Sequence, residues 1–459
     1  MKNSINIVFA FLILTLSSCS DDFLDKKPVS EISSGNFWQL QADAEAGIAG
    51  AYDALQPDSY YGFDMYVFGD VRSDNCFAGG DNPDNFAIDN FKTFPTNGTV
   101  TRSWRQIYTA ISRANTAIDR ITNMDPSLFE DGKKEALLGE AHFLRGLHYF
   151  NLVRLYGGVP LVIEETTSLA PDDIKVPRNT ETEVYQQIIK DLKLSAGFLD
   201  GKNQAKGRAT VGAAESLLAK VYLTLQNYPE TVIWTGRAMT RGYSLLPVFE
   251  NLFNQENQNN AEVIFAVQYA GGAEGNVFPE LVLPTPEASF DFLKFNTPTP
   301  NSEAIFSSND VRKATSIADR NGTLYLYKWR NGTAFASSDN NVILRYADVL
   351  LMRAEALNQT GDTNGAIALL NQIRNRAGLG DYTGSTSQSV VDAAIFEERR
   401  IELAFEGHRW FDLKRKGFNV ANNAIQQAKG ITIQPYQLLF PLPQEEIDRN
   451  ELLVQNPNY

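Results

Sequence analysis

Cysteine is scarce in this chain, which has only two among its 459 residues, Cys19 and Cys76. If Cys19 carries a modification, Cys76 has no partner and no intramolecular disulfide can form. The fold must then be held by its hydrophobic core. A hydrophobic fraction of 43% provides ample material for one large domain or two closely packed ones.

Positive charge is also in short supply, since 41 Lys and Arg residues stand against 55 Asp and Glu residues, for a net charge of −14. Affinity for nucleic acid comes mainly from basic side chains that neutralise phosphates. The sequence has no basic patch, so we do not expect a nucleic-acid partner.

Long apolar runs are missing beyond the first residues. After Lys2, residues 5–16 are apolar except for Asn6 and Thr15. A basic start followed by a short apolar stretch is typical of a secretory signal. About a dozen apolar residues fall short of the roughly 20 that a membrane-spanning helix needs. We therefore expect this segment to be removed rather than kept as an anchor.

The apolar stretch ends in Leu16-Ser17-Ser18-Cys19. A cysteine in this position resembles a bacterial lipobox, in which the thiol is acylated and becomes the new N-terminus. An ordinary signal peptide followed by a chance cysteine is the alternative. The prediction is a signal peptide over residues 1–18, a tether over 19–35 with lipid on Cys19, and a single globular domain over 36–459.

Helical periodicity dominates the globular part. Short linkers join several of the periodic runs, so neighbouring helices should be antiparallel. Apolar residues recur at helical spacing over residues 36–55, 101–124, 133–156, 181–199 and 212–226.

Two segments, residues 219–238 and 354–373, resemble each other. In each, one helix ends near Gly or Asn, the next begins at Pro or Asp, and Ala stands where two helices must approach closely. This is the pattern of a tetratricopeptide helix pair of about 34 residues. Such repeats stack into curved scaffolds that usually bind another protein.

Strand patterns and irregular stretches interrupt the helices. Residues 262–269 alternate like a strand, and residues 323–330 read as a strand between two Asn-Gly turns. Residues 58–98 and 270–300 are loop-rich, and loops of such length are usually functional. The predicted fold class is therefore mostly α, a tetratricopeptide-like α-α superhelix with helix pairs within about 101–241 and 342–377, two loop-rich inserts and a little β-sheet.

Signals for catalysis are few. Of the three histidines, His142 and His148 are six residues apart on one predicted helix, whereas two ligands on a helix face are normally three or four apart. We interpret His148 as a hydrogen-bonded core residue. Neither a nucleophile elbow nor a phosphate-binding glycine loop is present. A hydrolase that uses two carboxylates stays open, because sequence spacing does not give their separation in space.

The densest charged run covers residues 397–412. It could be an acid–base site. The preferred interpretation is structural: ion pairs of Glu398, Arg399, Glu402 and Arg409 dock a late helix against the repeats, with guanidinium groups binding carboxylates.

Several segments together resemble the SusD/RagB family, the surface glycan-binding or peptide-binding lipoproteins of Bacteroidetes. Each segment alone is a weak signal, but they follow the family's order and span nearly the whole chain after the tether. They are 36–38 (NFW) with Tyr52, 72–75 (RSDN), Ala114-Asn115 with Ile118, 139–145 (GEAxFLR) with 155–160 (LYGGVP), 345–355 (RYADVLLMRAE), 397–407 (EERRxELAFEG) with 409–414 (RWFDLK), and 439–443 (LFPLP) with 455–459 (QNPNY).

The resemblance implies a protein with four tetratricopeptide-like helix pairs that support a loop-rich ligand site. It also implies a non-catalytic lid on a TonB-dependent, SusC-like barrel transporter in the outer membrane, where the pair captures oligomers for import. Asp21-Asp22 after Cys19 is similar to the signal that sends such lipoproteins to the cell surface. His148 departs from the aromatic residue more usual in its helix, which we interpret as a packing variation.

A neutral sugar offers flat C–H faces to aromatic rings and hydroxyls to paired donors and acceptors. Tryptophans in framework or repeat segments are expected in the core; they are Trp38, Trp104, Trp234 and Trp410. Trp329, at the end of a predicted strand, is ambiguous.

We therefore place the glycan site in the two loop-rich inserts, where an aromatic side chain has less core available to bury it. The candidate residues are Tyr60, Tyr61, Asp74, Asn75, Phe77, Asp81, Asn82, Phe278, Phe290, Asp291, Phe292 and Trp329.

The expected function is glycan capture by a surface lipoprotein attached to the membrane only through its lipid. Peptide capture is the alternative, since the acidic stretch 81–89 would favour basic peptides. A glycosidase and a pure protein scaffold are further hypotheses. We expect no cofactor and no catalytic residue, and we identify no metal ligands.

Overall fold

The computed structural model describes residues 37–168, 170, 174–290 and 294–459. The predicted signal peptide and tether, including Cys19, lie outside these ranges. Helices account for most of the regular structure, which confirms the predicted mostly α class. Among the described residues, no helix has the length and apolarity that crossing a bilayer requires.

The bounds of the regular elements are as follows. The helices are α1 (Gln41–Asp53), α2 (Asp64–Tyr66), α3 (Pro83–Asp89), α4 (Gly98–Asn123), α5 (Lys133–Tyr156), α6 (Glu181–Leu199), α7 (Val211–Thr224), α8 (Tyr228–Ala238), α9 (Phe278–Val282), α10 (Pro300–Ala304), α11 (Arg312–Ser316), α12 (Tyr346–Gln359), α13 (Thr363–Arg376), α14 (Gln388–Glu402), α15 (Arg409–Arg415), α16 (Phe418–Lys429) and α17 (Gln444–Arg449). The strands are β1 (Cys76–Ala78), β2 (Val263–Val267), β3 (Asn296–Pro298), β4 (Ile317–Arg320), β5 (Thr323–Leu326) and β6 (Asn341–Arg345).

The long helices begin and end at signals in the sequence. α4 begins after Asn97, whose Oδ1 accepts a hydrogen bond from the backbone N–H of Val100 at 3.0 Å. α6 begins at a capping box in which Thr180 and Glu183 each bind the other's backbone N–H. α5 ends at Gly157, which has a φ of 78°. Such caps explain why the predicted helices 133–156 and 181–199 match the structure.

The helices stack in chain order. α1 packs on α4. From there each helix packs on the one that follows it, α4 on α5, α5 on α6, α6 on α7 and α7 on α8. α8 then packs on α12, which is followed by α13 and α14. The two segments that look alike in sequence are the pairs α7/α8 and α12/α13, and they are direct neighbours in one superhelix. Ala219 and Ala354 are completely buried, as expected where helices approach closely.

The strands form three two-stranded antiparallel sheets, β1 with β3, β2 with β6 and β4 with β5. The prediction of a strand over 323–330 is only partly right, because β5 ends at Leu326. Asn321 and Gly322 join β4 to β5 with φ values of 57° and 80°, the left-handed conformation that a tight hairpin turn requires. The predicted strand over 262–269 is present as β2, but residues 264–267 are all buried, because α7 packs against β2 and β6.

The first half of the first insert is not solvent-exposed. Every residue from 60 to 76 is buried, including the single-turn α2 and the π-helical turn Val67–Val71 that follows it. Gly69 lies so close to Gly407 that a Cβ atom at residue 69 would come within 2.2 Å of the Gly407 carbonyl oxygen. The Gly407 backbone N–H donates to Asp70 Oδ2 at 2.8 Å. Residues 60–76 therefore run through the interior beside the charged run 397–412.

Arg345, at the end of β6, is the centre of a buried charge lattice. Its guanidinium contacts Glu262 at 3.0 Å and Glu406 at 2.7 Å, and it also donates to the backbone carbonyl oxygen of Glu402 at 2.6 Å. The Glu402 carboxylate contacts Arg312 at 3.0 Å as well as Arg345 and Arg376. We use the name charge lattice for Arg312, Lys328, Arg345, Arg376, Glu262, Glu398, Glu402 and Glu406.

The lattice joins the helical repeats to the part of the chain between α8 and α12, residues 239–345, which we call the irregular half. Arg376 and Glu402 are the last residues of α13 and α14, whereas Arg312 begins α11 and Lys328 follows β5. Burial alone would raise the pKa of Glu406, but Arg345 and Lys328 lower it to about 2. Glu406 is therefore charged at neutral pH, and Arg345 and Lys328 are its partners.

The prediction that the charged run forms ion pairs is confirmed. Arg399 contacts Asp348 on α12 at 2.6 Å, which docks α14 on a repeat helix. Glu398 contacts Arg312 at 2.7 Å. Arg409 contacts Asp74 at 2.8 Å, so this pair fastens the first insert rather than the repeats.

We expect Glu402→Gln to lower the free energy of unfolding by about 3–5 kcal/mol, because it leaves buried guanidinium groups without their shared carboxylate. Urea denaturation measures this change. Glu445→Gln is the matched control, since Glu445 pairs with Arg105 at the exposed surface, where ion pairs contribute little. Equal stability losses in the two variants would contradict a central role for the lattice.

His148 is a core histidine, as predicted. It is completely buried, and its Nδ1 lies 2.9 Å from the Tyr60 hydroxyl. Burial lowers the pKa of His148 to about 3. Burial also lowers the pKa of His408 to about 3.

These histidines predict a sensitivity to acid. An unfolded histidine has a pKa of about 6.5, so the unfolded chain binds protons first and stability is lost as the pH falls from about 6.5 towards 3. His148→Phe should reduce the slope of unfolding free energy against pH by up to about 1.4 kcal/mol per pH unit in this window. Urea unfolding at pH 7, 6, 5 and 4 measures the slope, and a slope equal to that of the wild type would refute the prediction.

Candidate ligand-binding surface

Tyr60 and Tyr61, predicted to contact a ligand, lie in the interior. The Asn151 side-chain amide donates to both hydroxyls at 2.8 Å. Burial raises the pKa of Tyr61 to about 12. The prediction of exposed rings is therefore wrong for this pair, because the buried first insert carries them into the core.

Asp74 and Asn75 are also buried and engaged. Asp74 is held by Arg409 at 2.8 Å and Arg400 at 3.0 Å, while Asn75 Oδ1 accepts a hydrogen bond from Arg400 Nε at 3.1 Å. Burial would raise the pKa of Asp74, but the two guanidinium groups lower it. These polar side chains hold α14 and α15 rather than a ligand.

Phe278 and Trp329, predicted in the second insert and beside it, form the foundation of the irregular half. Their ring centroids are 4.5 Å apart, and Tyr66 stacks on Phe278 at 4.2 Å. The Trp329 indole N–H donates to Asn341 Oδ1 at 3.1 Å. Both rings are buried, so they pack beneath the surface loops instead of facing a ligand.

Four of the predicted residues do reach the surface. Phe77 on β1 and Phe290 are about two-fifths exposed, and Asp81 is exposed. Asn82 is half-buried, and its Oδ1 caps α3 by accepting the Asp84 N–H at 2.9 Å. The remaining two predicted residues, Asp291 and Phe292, lie outside the described ranges.

An exposed aromatic pair stands at the edge of the second insert. The rings of Phe290 and Phe335 have centroids 6.3 Å apart and planes only 28° from parallel. Phe290 is 43% exposed and Phe335 37% exposed. Two neighbouring, nearly parallel rings offer an apolar surface of the kind that a flat ligand face can cover.

Buried Glu280 on α9 fixes the backbone under this pair. Its Oε1 accepts hydrogen bonds from the N–H groups of Ser289 at 2.6 Å and Phe290 at 3.1 Å. Its Oε2 accepts the N–H of Ala334 at 3.0 Å. One carboxylate thus joins the two chain segments that carry Phe290 and Phe335, and we call this arrangement the Glu280 clasp.

The segment that carries Phe335 has an unusual backbone. Thr333, Ala334 and Phe335 all have positive φ values of 46°, 49° and 68°. Side-chain-bearing residues rarely adopt this conformation unless their surroundings hold them in it. Gly332 allows the close approach, because a Cβ atom there would lie 2.4 Å from Glu280 Oε2.

A group of polar and charged side chains is joined through the backbone to the segment that carries Phe335. Tyr327 donates to Glu287 Oε1 at 2.6 Å, and Arg320 contacts the same oxygen at 3.1 Å. The Arg330 guanidinium lies 4.3 Å from the centre of the Tyr327 ring. The Gly332 N–H donates to the Glu287 carbonyl oxygen at 2.8 Å. This hydrogen bond connects Glu287, and with it Tyr327 and Arg320, to the Glu280 clasp.

Phe77 is connected to the same helix. The Phe295 N–H donates to the Leu281 carbonyl oxygen on α9 at 3.0 Å, and β3 begins at the next residue. β3 pairs with β1, where Phe77 lies opposite Thr297. α9 therefore anchors each of the three segments that carry Phe77, Phe290 and Phe335.

Sequence reasoning missed Phe335 and Glu280. Phe335 stands among small and polar residues after Asn331-Gly332, so the rule that favoured aromatics in polar loops would have found it if the second insert had been extended past residue 300. Glu280 gives no such signal, because its role depends on three backbone N–H groups that lie 9, 10 and 54 residues away in the sequence.

We expect Glu280→Gln to loosen the aromatic pair, because the amide NH₂ of glutamine faces a backbone donor and cannot accept its hydrogen bond. The amides of Ser289, Phe290 and Ala334 should exchange with solvent deuterium roughly tenfold faster, which corresponds to about 1.4 kcal/mol. Glu303→Gln, at an exposed pair with Lys313, is the control and should leave these amides unchanged. Unchanged exchange in the Glu280 variant would contradict the clasp.

Known protein families match most of the chain. The model of the SusD family matches residues 254–459, and a model described as starch-binding associating with outer membrane matches residues 22–223. A SusD-like protein of Formosa agariphila is 31% identical over 100% of both chains. A second SusD-like protein of the same organism is 28% identical over 99% of each chain.

Solved structures share the fold. A laminarin-binding SusD-like protein superposes with a TM-score of 0.79 and 27% identity, over 92% of this chain and 100% of that one. A SusD superfamily protein from Bacteroides vulgatus superposes with a TM-score of 0.82 and 24% identity, over the same shares of the two chains.

Proposed function

Because the chain belongs to the SusD family, we propose that it binds glycans at the cell surface and delivers them to a TonB-dependent, SusC-like transporter without cleaving them. The observation that carries the binding proposal is the exposed Phe290–Phe335 pair, held by the Glu280 clasp. The likeness to a laminarin-binding protein supports a glycan as the ligand class.

The surface at this pair suits a sugar because it offers partners for both the apolar C–H face and the hydroxyl groups. The rings accept an apolar C–H face, while Arg320, Glu287 and Tyr327 supply donors and acceptors for hydroxyl groups. The backbone under the rings is held before the ligand arrives, so little conformational entropy is lost on binding.

Lipidation of Cys19 and location at the outer membrane belong to the same proposal. The description of the matching family model supports association with the outer membrane. A lipid on Cys19 would keep the protein beside its transporter, with the tether residues 19–35 between membrane and globular part.

A non-catalytic role accords with the use of the acidic side chains. Four carboxylates of the charged run, those of Glu398, Glu402, Glu406 and Asp412, are buried and paired with arginine or lysine side chains. Peptide capture is the second candidate, favoured by the exposed acidic side chain of Asp81.

Affinity electrophoresis in gels that contain laminarin, starch or other polysaccharides tests the proposed function. Phe335→Ala should weaken binding to the retained glycan by about two- to tenfold, since a ring contact contributes about 0.5–1.5 kcal/mol. Phe94→Ala is the matched control, because Phe94 is 69% exposed and lies beside Pro95, whose carbonyl accepts the Gln444 N–H.

Two outcomes would overturn the proposal. Retention of no glycan, together with binding of basic peptides, would favour peptide capture. Release of shortened oligosaccharides from a retained glycan would show that the protein is an enzyme.

A further inference from the structure

Four places in the chain share one chemical weakness, the dipeptide Asn-Gly. Asparagine is a thermolabile residue, and a following glycine increases its reactivity most, because the adaptable glycine backbone can bring its nitrogen up to the asparagine side chain. The four steps are Asn97-Gly98, Asn321-Gly322, Asn331-Gly332 and Asn364-Gly365.

Deamidation at such a step begins at the glycine nitrogen. The nitrogen loses its proton and attacks the asparagine Cγ, the Cγ–Nδ2 bond breaks, and ammonia leaves as a succinimide ring forms. Water then opens the ring to aspartate or isoaspartate, so the overall reaction consumes one water molecule and releases one ammonia molecule. A group that keeps the proton on the glycine nitrogen therefore slows the reaction.

The fold places a hydrogen-bond acceptor on the glycine N–H of all four steps. Three of the acceptors are carboxylate oxygens, and the fourth is a main-chain carbonyl oxygen. The pairs are Gly98 with Asp84 Oδ2 at 3.0 Å, Gly322 with Asp319 Oδ1 at 2.8 Å, Gly365 with Asp362 Oδ1 at 2.8 Å and Gly332 with the Glu287 carbonyl oxygen at 2.8 Å. Each glycine nitrogen is thus engaged before it can attack.

Such an acceptor opposes deamidation in two ways. The hydrogen bond must be broken before the proton can leave, and a bond to a charged acceptor is about twice as strong as one between neutral groups. A carboxylate also repels the negative charge that develops on the nitrogen. The three carboxylates therefore raise the barrier to deamidation more than a neutral acceptor would.

Glycine itself allows the carboxylates to approach so closely. A Cβ atom at residue 98 would lie 2.7 Å from Asp84 Oδ2, and a Cβ atom at residue 365 would also meet the Asp362 carboxylate. The absence of a side chain thus makes the step reactive and also admits the group that opposes the reaction.

We propose that these four acceptors protect the Asn-Gly steps from deamidation, and that Asn321 is a latent modification site whose reactivity Asp319 controls. The protection is a property of the folded chain and needs no ligand. Loss of one acceptor should expose one step and leave the other three unchanged.

The steps at Asn97 and Asn321 differ in how many contacts restrain them. Asn97 Oδ1 accepts the Val100 N–H, and Asn97 Nδ2 donates to the Asp84 carbonyl oxygen, both at 3.0 Å. Asn321 is exposed at the turn between β4 and β5. The Asp319 carboxylate is therefore the restraint on which the step at Asn321 depends.

Deamidation at Asn331 would disturb the proposed ligand surface. Isoaspartate adds a methylene group to the main chain, and here it would do so shortly before Ala334, whose N–H belongs to the Glu280 clasp. The acceptor at this step is the Glu287 main-chain carbonyl, and Gly332 is buried. This step therefore keeps its protection whichever side chain stands at residue 287.

Peptide mapping by mass spectrometry tests the proposal on the full-length protein, aged in mildly alkaline buffer. Asp319→Ala should deamidate at Asn321 about tenfold faster than the wild type, because a hydrogen bond to a charged acceptor is lost. The steps at Asn97, Asn331 and Asn364 should keep their wild-type rates and serve as internal controls.

Two further variants separate the effect of the hydrogen bond from other effects. Asp319→Asn retains an acceptor oxygen without the charge, so it should accelerate the reaction at Asn321 by less than Asp319→Ala does. Thr323→Ala, in the same hairpin, leaves the hydrogen bond of Gly322 intact and should deamidate like the wild type. Amide hydrogen exchange in β4 and β5 should be the same in all these proteins.

Three results would overturn the proposal. The first is a wild-type rate at Asn321 in Asp319→Ala. The second is deamidation at any of the four steps that is as fast in the folded wild type as in the urea-unfolded chain. The third is an equal acceleration of amide hydrogen exchange throughout β4 and β5 in Asp319→Ala, because unfolding of the hairpin would then account for its deamidation.

Discussion

The salt bridge from Arg345 to Glu402 and Glu406 is the contact on which the rest of the structure depends. It lies at the junction of β6, α12 and α14, and the same carboxylates bind Arg312, Arg376 and Lys328. A buried charge is tolerated only when it is paired, so each of these residues requires the others. The lattice thereby joins a regular helical superhelix to a part of the chain that has little regular structure of its own.

That junction explains how a stretch of chain with little regular structure can be buried in the interior of the protein. Residues 60–76 run between the superhelix and the segment after α14, with Gly69 against Gly407 and Asp74 between two arginines. The resulting wall of Tyr66, Phe278 and Trp329 supports α9, and α9 supports the exposed rings through Glu280. The charge lattice thus positions the aromatic wall, the wall positions α9, and α9 positions the exposed rings.

The sequence predicted the helical part well, because apolar periodicity and caps are local signals. It also identified the charged run as structural and His148 as a core residue. The site was harder, because Tyr60, Tyr61, Asp74 and Asn75 have the polar and aromatic character of a binding loop but are buried by partners far away in the sequence. Asn151 binds the two tyrosines, and Arg400 and Arg409 bind Asn75 and Asp74. Composition shows that a segment is irregular; only long-range contacts decide whether it is inside.

The Glu280 clasp has a consequence for how such a surface can diversify. The carboxylate binds only main-chain N–H groups, which every residue except proline possesses. The side chains at residues 289, 290, 334 and 335 can therefore change without loss of the hydrogen bonds that hold them. A scaffold of this kind could acquire a preference for another glycan through substitutions in a few exposed side chains. Its thermodynamic stability would be unaffected, because that depends on the buried charge lattice and aromatic wall.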